Sequence, residues 1–211
     1  MAVNARTATL VDAIRVRPRA WVWNFLLILA GGTLMALFAR IAIPLPFTPV
    51  PVTGQTLGVL LAGALLGARR GGLAMLVYLA EGLAGLPVFA GGASAWSPSG
   101  VGLPVILGPS AGYLFAYPLA AFAVGWLAER GWDRRFGRAV AAMVVGEVAI
   151  YAVGLLWLVR FVGAARVLPL GFLPFVPGDI VKLLLAAAVL PAAWRLVTPA
   201  AHQPPVGVPR V

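Results

Sequence analysis

The chain has 211 residues, of which 62% are hydrophobic and 10% charged, with a mean hydropathy of +0.98. A soluble domain needs about 25% charged residues to cover its surface, and a disordered chain combines high charge with low hydrophobicity, so both classes are excluded. The formal charge of +10 would suggest nucleic acid in a soluble protein, but only one of the sixteen basic residues is a lysine and the arginines stand at the ends of apolar runs, which is a pattern of membrane topology.

The composition predicts an all-α, polytopic membrane bundle. Residues 21–39 are nineteen uncharged residues after Arg15, Arg17 and Arg19. That run exceeds the roughly 7–15 apolar residues of a signal-peptide core and reads as a first membrane helix. It ends at IPLPFTPVP, where Pro44, Pro46, Pro49 and Pro51 forbid helix and force an extended loop. A second helix is expected from Thr53 to Ala68, stopped by Arg69 and Arg70. It is short for a bilayer and would begin inside a cavity. A third runs from Gly71-Gly72 to about Leu86, followed by a long uncharged loop over 87–104. A fourth helix covers Ser110–Ala128, a fifth Ala139–Phe161 after the hydrophilic break ERGWDRRFGR, and a sixth Gly178–Val197 after VLPLGFLPFVPG. The organisation expected is an N-terminal cytoplasmic segment over 1–20, a six-helix transmembrane domain over 21–198 and a cytoplasmic Pro-rich tail over 199–211.

With the N-terminus inside, Arg6, Arg15, Arg17, Arg19, Arg69, Arg70, Arg130, Arg134, Arg135, Arg138, Arg195 and Arg210 fall on the inner side. Arg40, Arg160, Arg166 and Lys182 fall outside or within helices. Twelve against four predicts cytoplasmic termini and puts the loop 87–104 and the proline loop 43–52 on the outer side.

Enzymatic chemistry is poorly served. There is no cysteine, and the single histidine, His202, lies in the tail. No metal site and no cofactor are expected. Lys182 follows Val181, so no Gly-Lys-Ser/Thr phosphate loop exists and ATP-driven work would come from a partner.

Ionisable groups at membrane depth are costly and tend to mark function. Asp179 and Lys182 share one helix face at i and i+3, just after Pro177-Gly178. They form either a self-satisfied anchor or a recognition point in which Asp179 accepts N–H groups and Lys182 neutralises a carboxylate. Glu147, with Tyr151 one turn later, is either an interfacial or arginine-paired carboxylate or a functional one. Glu81 reads as a rim residue and Arg40 as a snorkelling one. Thr53 and Gln55 sit where the proline loop enters the second helix, as a cap or as cavity lining. Trp96 is either an interfacial belt residue or part of a lid. Gly32 and Ala36 make a small-residue face on the first helix, for bundle packing or for close approach of a partner.

In order along the chain stand IPLPFTPVPVTGQTLGVLLAGALLG, YLAEGLAGLPVFAGG, GPSAGYL, IYAVGLLWL and LPFVPGDIVK. Taken together over residues 25–195 these resemble the BioY family, the biotin-binding S components of energy-coupling factor (ECF) transporters. The resemblance implies six helices and a biotin site near the outer face. Asp179 and Lys182 match the family residues that meet the vitamin, with Asp179 on a ureido N–H. The candidate substrate contacts are then Asp179, Lys182, Gln55, Thr53, Tyr151, Trp96 and Tyr113. The implied partners are a transmembrane coupling subunit, docked on Gly32 and Ala36, and two ATPase subunits, in the lipid bilayer. Three departures stand out. Ser110 and Ala111 replace the usual Thr and Gly, and Glu81 replaces an apolar residue. The loop 87–104 carries the insertion-like ASAWSPSG and no Asn, Arg or Lys, leaving Trp96, Ser94 or backbone groups for contact. The alternatives are an S component for another vitamin, a stand-alone carrier coupled to ions or protons through Glu81, Glu147 or Asp179, and a structural subunit without ligand.

Overall fold

A computed structural model describes residues 9–13 and 20–197. Arg6, Arg15, Arg17, Arg19, His202, Arg210 and the tail 199–211 lie outside the described residues. The chain runs through α1 (Leu10–Ala13), α2 (Ala20–Ala39), β1 (Ala42–Ile43), β2 (Val52–Thr53), α3 (Gln55–Leu66), α4 (Ala68–Leu83), α5 (Ala111–Ala128), α6 (Phe136–Val162), α7 (Ala164–Gly171) and α8 (Val176–Val197). Four of these, α2, α5, α6 and α8, are long and apolar enough to cross a membrane. The other two bundle helices are shorter, 12 residues in α3 and 16 in α4.

The bundle is held by small residues inside and large ones outside. Ala62, Ala64, Ala120, Ala121 and Ala187 are buried, while Leu76, Phe122, Val148, Leu156 and Leu196 are exposed. Between lipid-bathed helices, close backbone approach replaces the hydrophobic drive available in water. The α3–α5 crossing is one example: a Cβ on Gly63 would sit 2.5 Å from the carbonyl oxygen of Ala121. The α3–α4 corner depends on Gly67, whose φ of +85° only glycine adopts readily. There the Ala68 N–H donates to Glu129 Oε1 at 2.9 Å, so the bend is tied to the end of α5.

Two elements depart from expectation. The proline loop is extended, but Ala42–Ile43 and Val52–Thr53 pair antiparallel and close it on itself. The stretch after α6, to which no helix was assigned, holds α7 despite Pro169. Its last carbonyls find tertiary donors: Thr48 Oγ1 donates to Leu170 O at 2.7 Å and Tyr113 Oη to Gly171 O at 2.8 Å. These satisfy helix-end groups that would otherwise be orphaned in an apolar setting.

The loop 87–104 is folded. Ala95 N–H donates to Gly82 O at 3.0 Å, Ile106 N–H to Ala95 O at 3.1 Å and Val105 N–H to Ser97 O at 3.0 Å. Phe89 is fully buried against Tyr78 at 5.3 Å between ring centroids. The arginines sort by end. Among the described residues, Arg69, Arg70, Arg130, Arg134, Arg135, Arg138 and Arg195 stand where α4 begins, where α5 passes into α6 and where α8 ends. That end is cross-linked by Arg70 to Asp12 and by Trp194 Nε1 to Asp133. Partial burial opposes ionisation of Asp12, but hydrogen bonds from Arg70 and Thr9 outweigh it and hold the carboxyl below its usual range. Arg40, Arg160 and Arg166 lie at the other end, with both long loops.

Candidate binding site

Twelve residues at 1.5 Å each make α3 only about 18 Å long. Starting at the end of the proline loop, its first turn opens into a cavity of about 640 Å³, within the range of roughly 300–1,000 Å³ typical of small-molecule sites. The proline loop contributes Phe47 and Val50, the segment after α4 contributes Phe89 and Ser99, and Ile150 and Phe175 add apolar wall. The helices contribute further polar side chains, Gln55, Thr56, Tyr113, Tyr117, Tyr151, Asp179 and Lys182.

Asp179 is the centre of this set. It occupies the first turn of α8, where the positive end of the helix favours a carboxylate. Its Oδ1 accepts from Lys182 Nζ at 2.8 Å and from Thr56 Oγ1 at 3.2 Å, and its Oδ2 accepts from the Tyr151 hydroxyl. Lys182 Nζ also donates to Thr56 Oγ1 at 3.0 Å, closing a triangle across α3 and α8. Asp179 is 7% exposed. A buried charge pair is tolerable only with such additional hydrogen bonds. Chemically, the arrangement offers a carboxylate acceptor, an ammonium donor and the hydroxyls of Thr56 and Tyr151 to a ligand that is otherwise apolar.

Thr53, Gln55, Tyr113, Tyr151, Asp179 and Lys182 all line the one cavity. Gln55 reaches it while its amide Nε2 donates to Tyr78 Oη at 2.7 Å, and Thr53 Oγ1 accepts the Gln55 backbone N–H at 3.3 Å. Trp96 corrects an expectation: it is 59% exposed, does not line the cavity, and donates its indole N–H to Leu83 O at 2.8 Å. The unpaired carbonyls at the end of α4 draw it there. Ser94 is also outside, engaged with Ser97 and with the Trp96 N–H. The loop is represented instead by Ser99, whose buried Oγ has no hydrogen-bond partner among the described residues.

Sequence reasoning missed Thr56, although its helical neighbour Gln55 was singled out. The signal available was that position i+1 of a cavity-opening helix start is as close to the ligand as position i. Arg40 does not simply snorkel; its Nη2 donates to Pro87 O at 2.9 Å. Gly32 is buried, and a Cβ there would meet Ala74 O, Val77 and Glu81 at 3.6–3.8 Å, so this small face is filled by α4 of the same chain. Ala36 packs partly buried against the core. Glu147 is neither at an interface nor paired with an arginine: it is 7% exposed and accepts no hydrogen bond among the described residues.

A model of the BioY family matches residues 8–199. A Rhizobium etli protein named biotin transporter BioY is 38% identical over 170 residues, covering 73% of this chain and 87% of that one. A Pyrococcus horikoshii protein named probable biotin transporter BioY is 38% identical over 162 residues, covering 74% and 91%. A crystal structure of the S component for biotin from an ECF-type ABC transporter superposes with a TM-score of 0.69 at 26% identity, covering 84% of this chain and 93% of that one.

Proposed function

The chain belongs to the BioY family, and on that premise we propose that it takes up biotin as the membrane-embedded S component of an ECF transporter. In this reading α2, α3, α4, α5, α6 and α8 are six spans of a multi-pass protein of the cytoplasmic membrane. The arginine-rich end and both termini are cytoplasmic, since basic residues are retained inside. The cavity then opens outward beneath the proline loop and the loop 87–104. A transmembrane coupling subunit and two ATPase subunits supply the energy, which agrees with the missing phosphate loop.

The observation that carries the reading is the pairing of an apolar cavity with the Asp179–Lys182–Thr56 triangle. Biotin presents a compact apolar bicycle, two ureido N–H donors, a ureido carbonyl and a carboxylate tail. Asp179 accepts a ureido N–H, Thr56 or Lys182 donates to the ureido carbonyl, and the aromatic and aliphatic wall takes the bicycle. Ser99 stands where a further polar contact from the loop is needed. No bond of the ligand is made or broken; the chemistry is capture and release.

Native mass spectrometry of the chain purified from biotin-fed cells tests this directly. The expected spectrum carries one adduct with the mass of biotin, removed by activation. A spectrum with no adduct, or with a different vitamin's mass, overturns the assignment.

A further inference from the structure

At the corner where α4 begins and α5 ends, the arginines differ in what they hold. Arg70 is ion-paired with Asp12, and Arg130 lies 3.4 Å over the Trp126 ring while donating to Trp126 O at 2.9 Å. Arg69 is exposed and takes part in no hydrogen bond, ion pair or ring contact among the described residues. Glu129, the acid at this corner, accepts the Ala68 N–H instead. A guanidinium left in this way offers a planar fork of N–H donors that matches the oxygens of a phosphate.

From Arg69 a groove of about 520 Å³ runs between α4 and α5 on the surface of the bundle. It shares no lining residue with the larger cavity. Gly72 forms its floor: a Cβ there would meet Pro118 O at 3.4 Å and Phe122 at 3.6 Å, so the absent side chain is what leaves the depth. Leu73, Leu76, Leu119 and Phe122 are exposed and make apolar walls. Arg69, Gly72 and Leu76 recur at i, i+3 and i+7, on one face of α4. Seven residues at 1.5 Å each carry the groove about 10 Å inward from the guanidinium, most of the roughly 15 Å of one leaflet's hydrocarbon. Trp126 is exposed at the same end of α5, and tryptophan collects at the headgroup level. The cation therefore stands at headgroup height, with the apolar channel leading from it toward the bilayer middle.

We propose that this groove binds one anionic phospholipid, its phosphate on Arg69 and an acyl chain laid along Gly72 and Pro118 between the leucine walls. A free anion would meet the guanidinium but gain nothing from those walls. A partner helix would need an acid set opposite Arg69, whereas the bilayer supplies phosphate at that height on every side. A zwitterionic lipid carries its own ammonium, which competes with Arg69 for the phosphate; an anionic headgroup has no such competitor. The groove opens sideways, so the lipid enters by lateral diffusion, and in the proposed orientation it comes from the inner leaflet. The inference requires a membrane around the chain and no particular vitamin, so it stands apart from the biotin reading.

The test is native mass spectrometry of the full chain, delipidated in detergent and given an equimolar mixture of phosphatidylglycerol and phosphatidylcholine with distinguishable acyl masses. The expected spectrum keeps one phosphatidylglycerol in preference to phosphatidylcholine. In Arg69→Gln that preference falls by about fivefold, the scale set by one arginine at a membrane surface. Arg138→Gln removes the same charge from the same end, at an exposed position outside the groove, and leaves the preference unchanged. Leu119→Trp keeps the guanidinium but lays an indole across the groove, and the adduct is lost. Equal retention of the two lipids by the wild type overturns the proposal. So does an equal loss in Arg138→Gln, which would make the effect a diffuse field, and so does an adduct kept in Leu119→Trp, which would leave the groove unused. A dimer peak that vanishes in Arg69→Gln while lipid binding is unchanged would give the groove to a second copy and overturn it as well. Arg69 and Leu119 are both exposed, so both variants are expected to fold; should Arg69→Gln not, the wild-type choice between lipids and Leu119→Trp decide without it. A chain that keeps the phospholipid but no biotin leaves this proposal standing, and one that keeps biotin but shows no lipid preference overturns this proposal alone.

Discussion

Asp179 is a carboxylate that is never alone, with a lysine, a threonine and a tyrosine around it. What distinguishes it from a merely structural pair is that its partners border a cavity instead of closing over it. The amide in Asp179→Asn keeps the shape, removes the charge and leaves Lys182 without its counter-ion. Biotin affinity is expected to fall by at least about tenfold, or ~1.4 kcal/mol, measured as Kd on a monodisperse preparation. An unchanged Kd in a folded variant would remove Asp179 from the recognition site. The Gly-Asp-x-x-Lys spacing made this pair visible in the sequence, because i,i+3 neighbours meet on any helix. Thr56 and Ser99 were not visible, since nothing local marks a hydroxyl as facing a cavity.

Helix α3 carries most of the architecture at the next scale. At about 18 Å it covers only part of a bilayer core of ~30 Å, the extended proline loop completing this span, and that shortness puts Thr56 in the cavity. Its other end is pinned by the Gly67 corner, and its flank lies against α5 with no room for a methyl group at Gly63. Gly63→Ala drives a Cβ into the Ala121 carbonyl and must push the two helices apart. A loss of ~1–3 kcal/mol is expected for such overpacking, read as a lowered thermal midpoint in detergent. An unchanged midpoint would mean that the α3–α5 contact yields freely. The apolar runs and the prolines located α2 to α6 and α8 to within a few residues. They did not disclose α7, because Pro169 argues against helix and the compensating donors, Thr48 and Tyr113, lie far away in sequence.

For the whole molecule the central question is direction. Seven described arginines gather at one end and the two long loops at the other, and the cavity lies at the loop end. The absence of cysteine makes this testable with single introduced thiols. A membrane-impermeant maleimide added to intact cells should label Val101→Cys, in the exposed part of the long loop, and should label Arg138→Cys, at the exposed start of α6, only after the membrane is opened. The reverse pattern would invert the orientation and put the cavity mouth inside. Gly32 is buried against α4, whereas Phe25, Leu26, Thr33 and Leu37 are exposed on α2, so a partner of the proposed kind that docks on this helix would meet those residues.

By itself the sequence determined the membrane class, the places of the six apolar runs, the separation of basic from neutral ends and the acid–base pair at the start of α8. These depend on transfer free energy and helical spacing, which are properties of neighbours along the chain. Only the tertiary structure decided that Thr56 reaches Asp179 across 123 positions, that Trp96 turns to the end of α4, that Gly32 is buried against α4, and that Glu147 is buried with no donor among the described residues. Each of these is a matter of which surfaces meet when helices pack, and a buried polar group is satisfied or stranded by partners that no local pattern names.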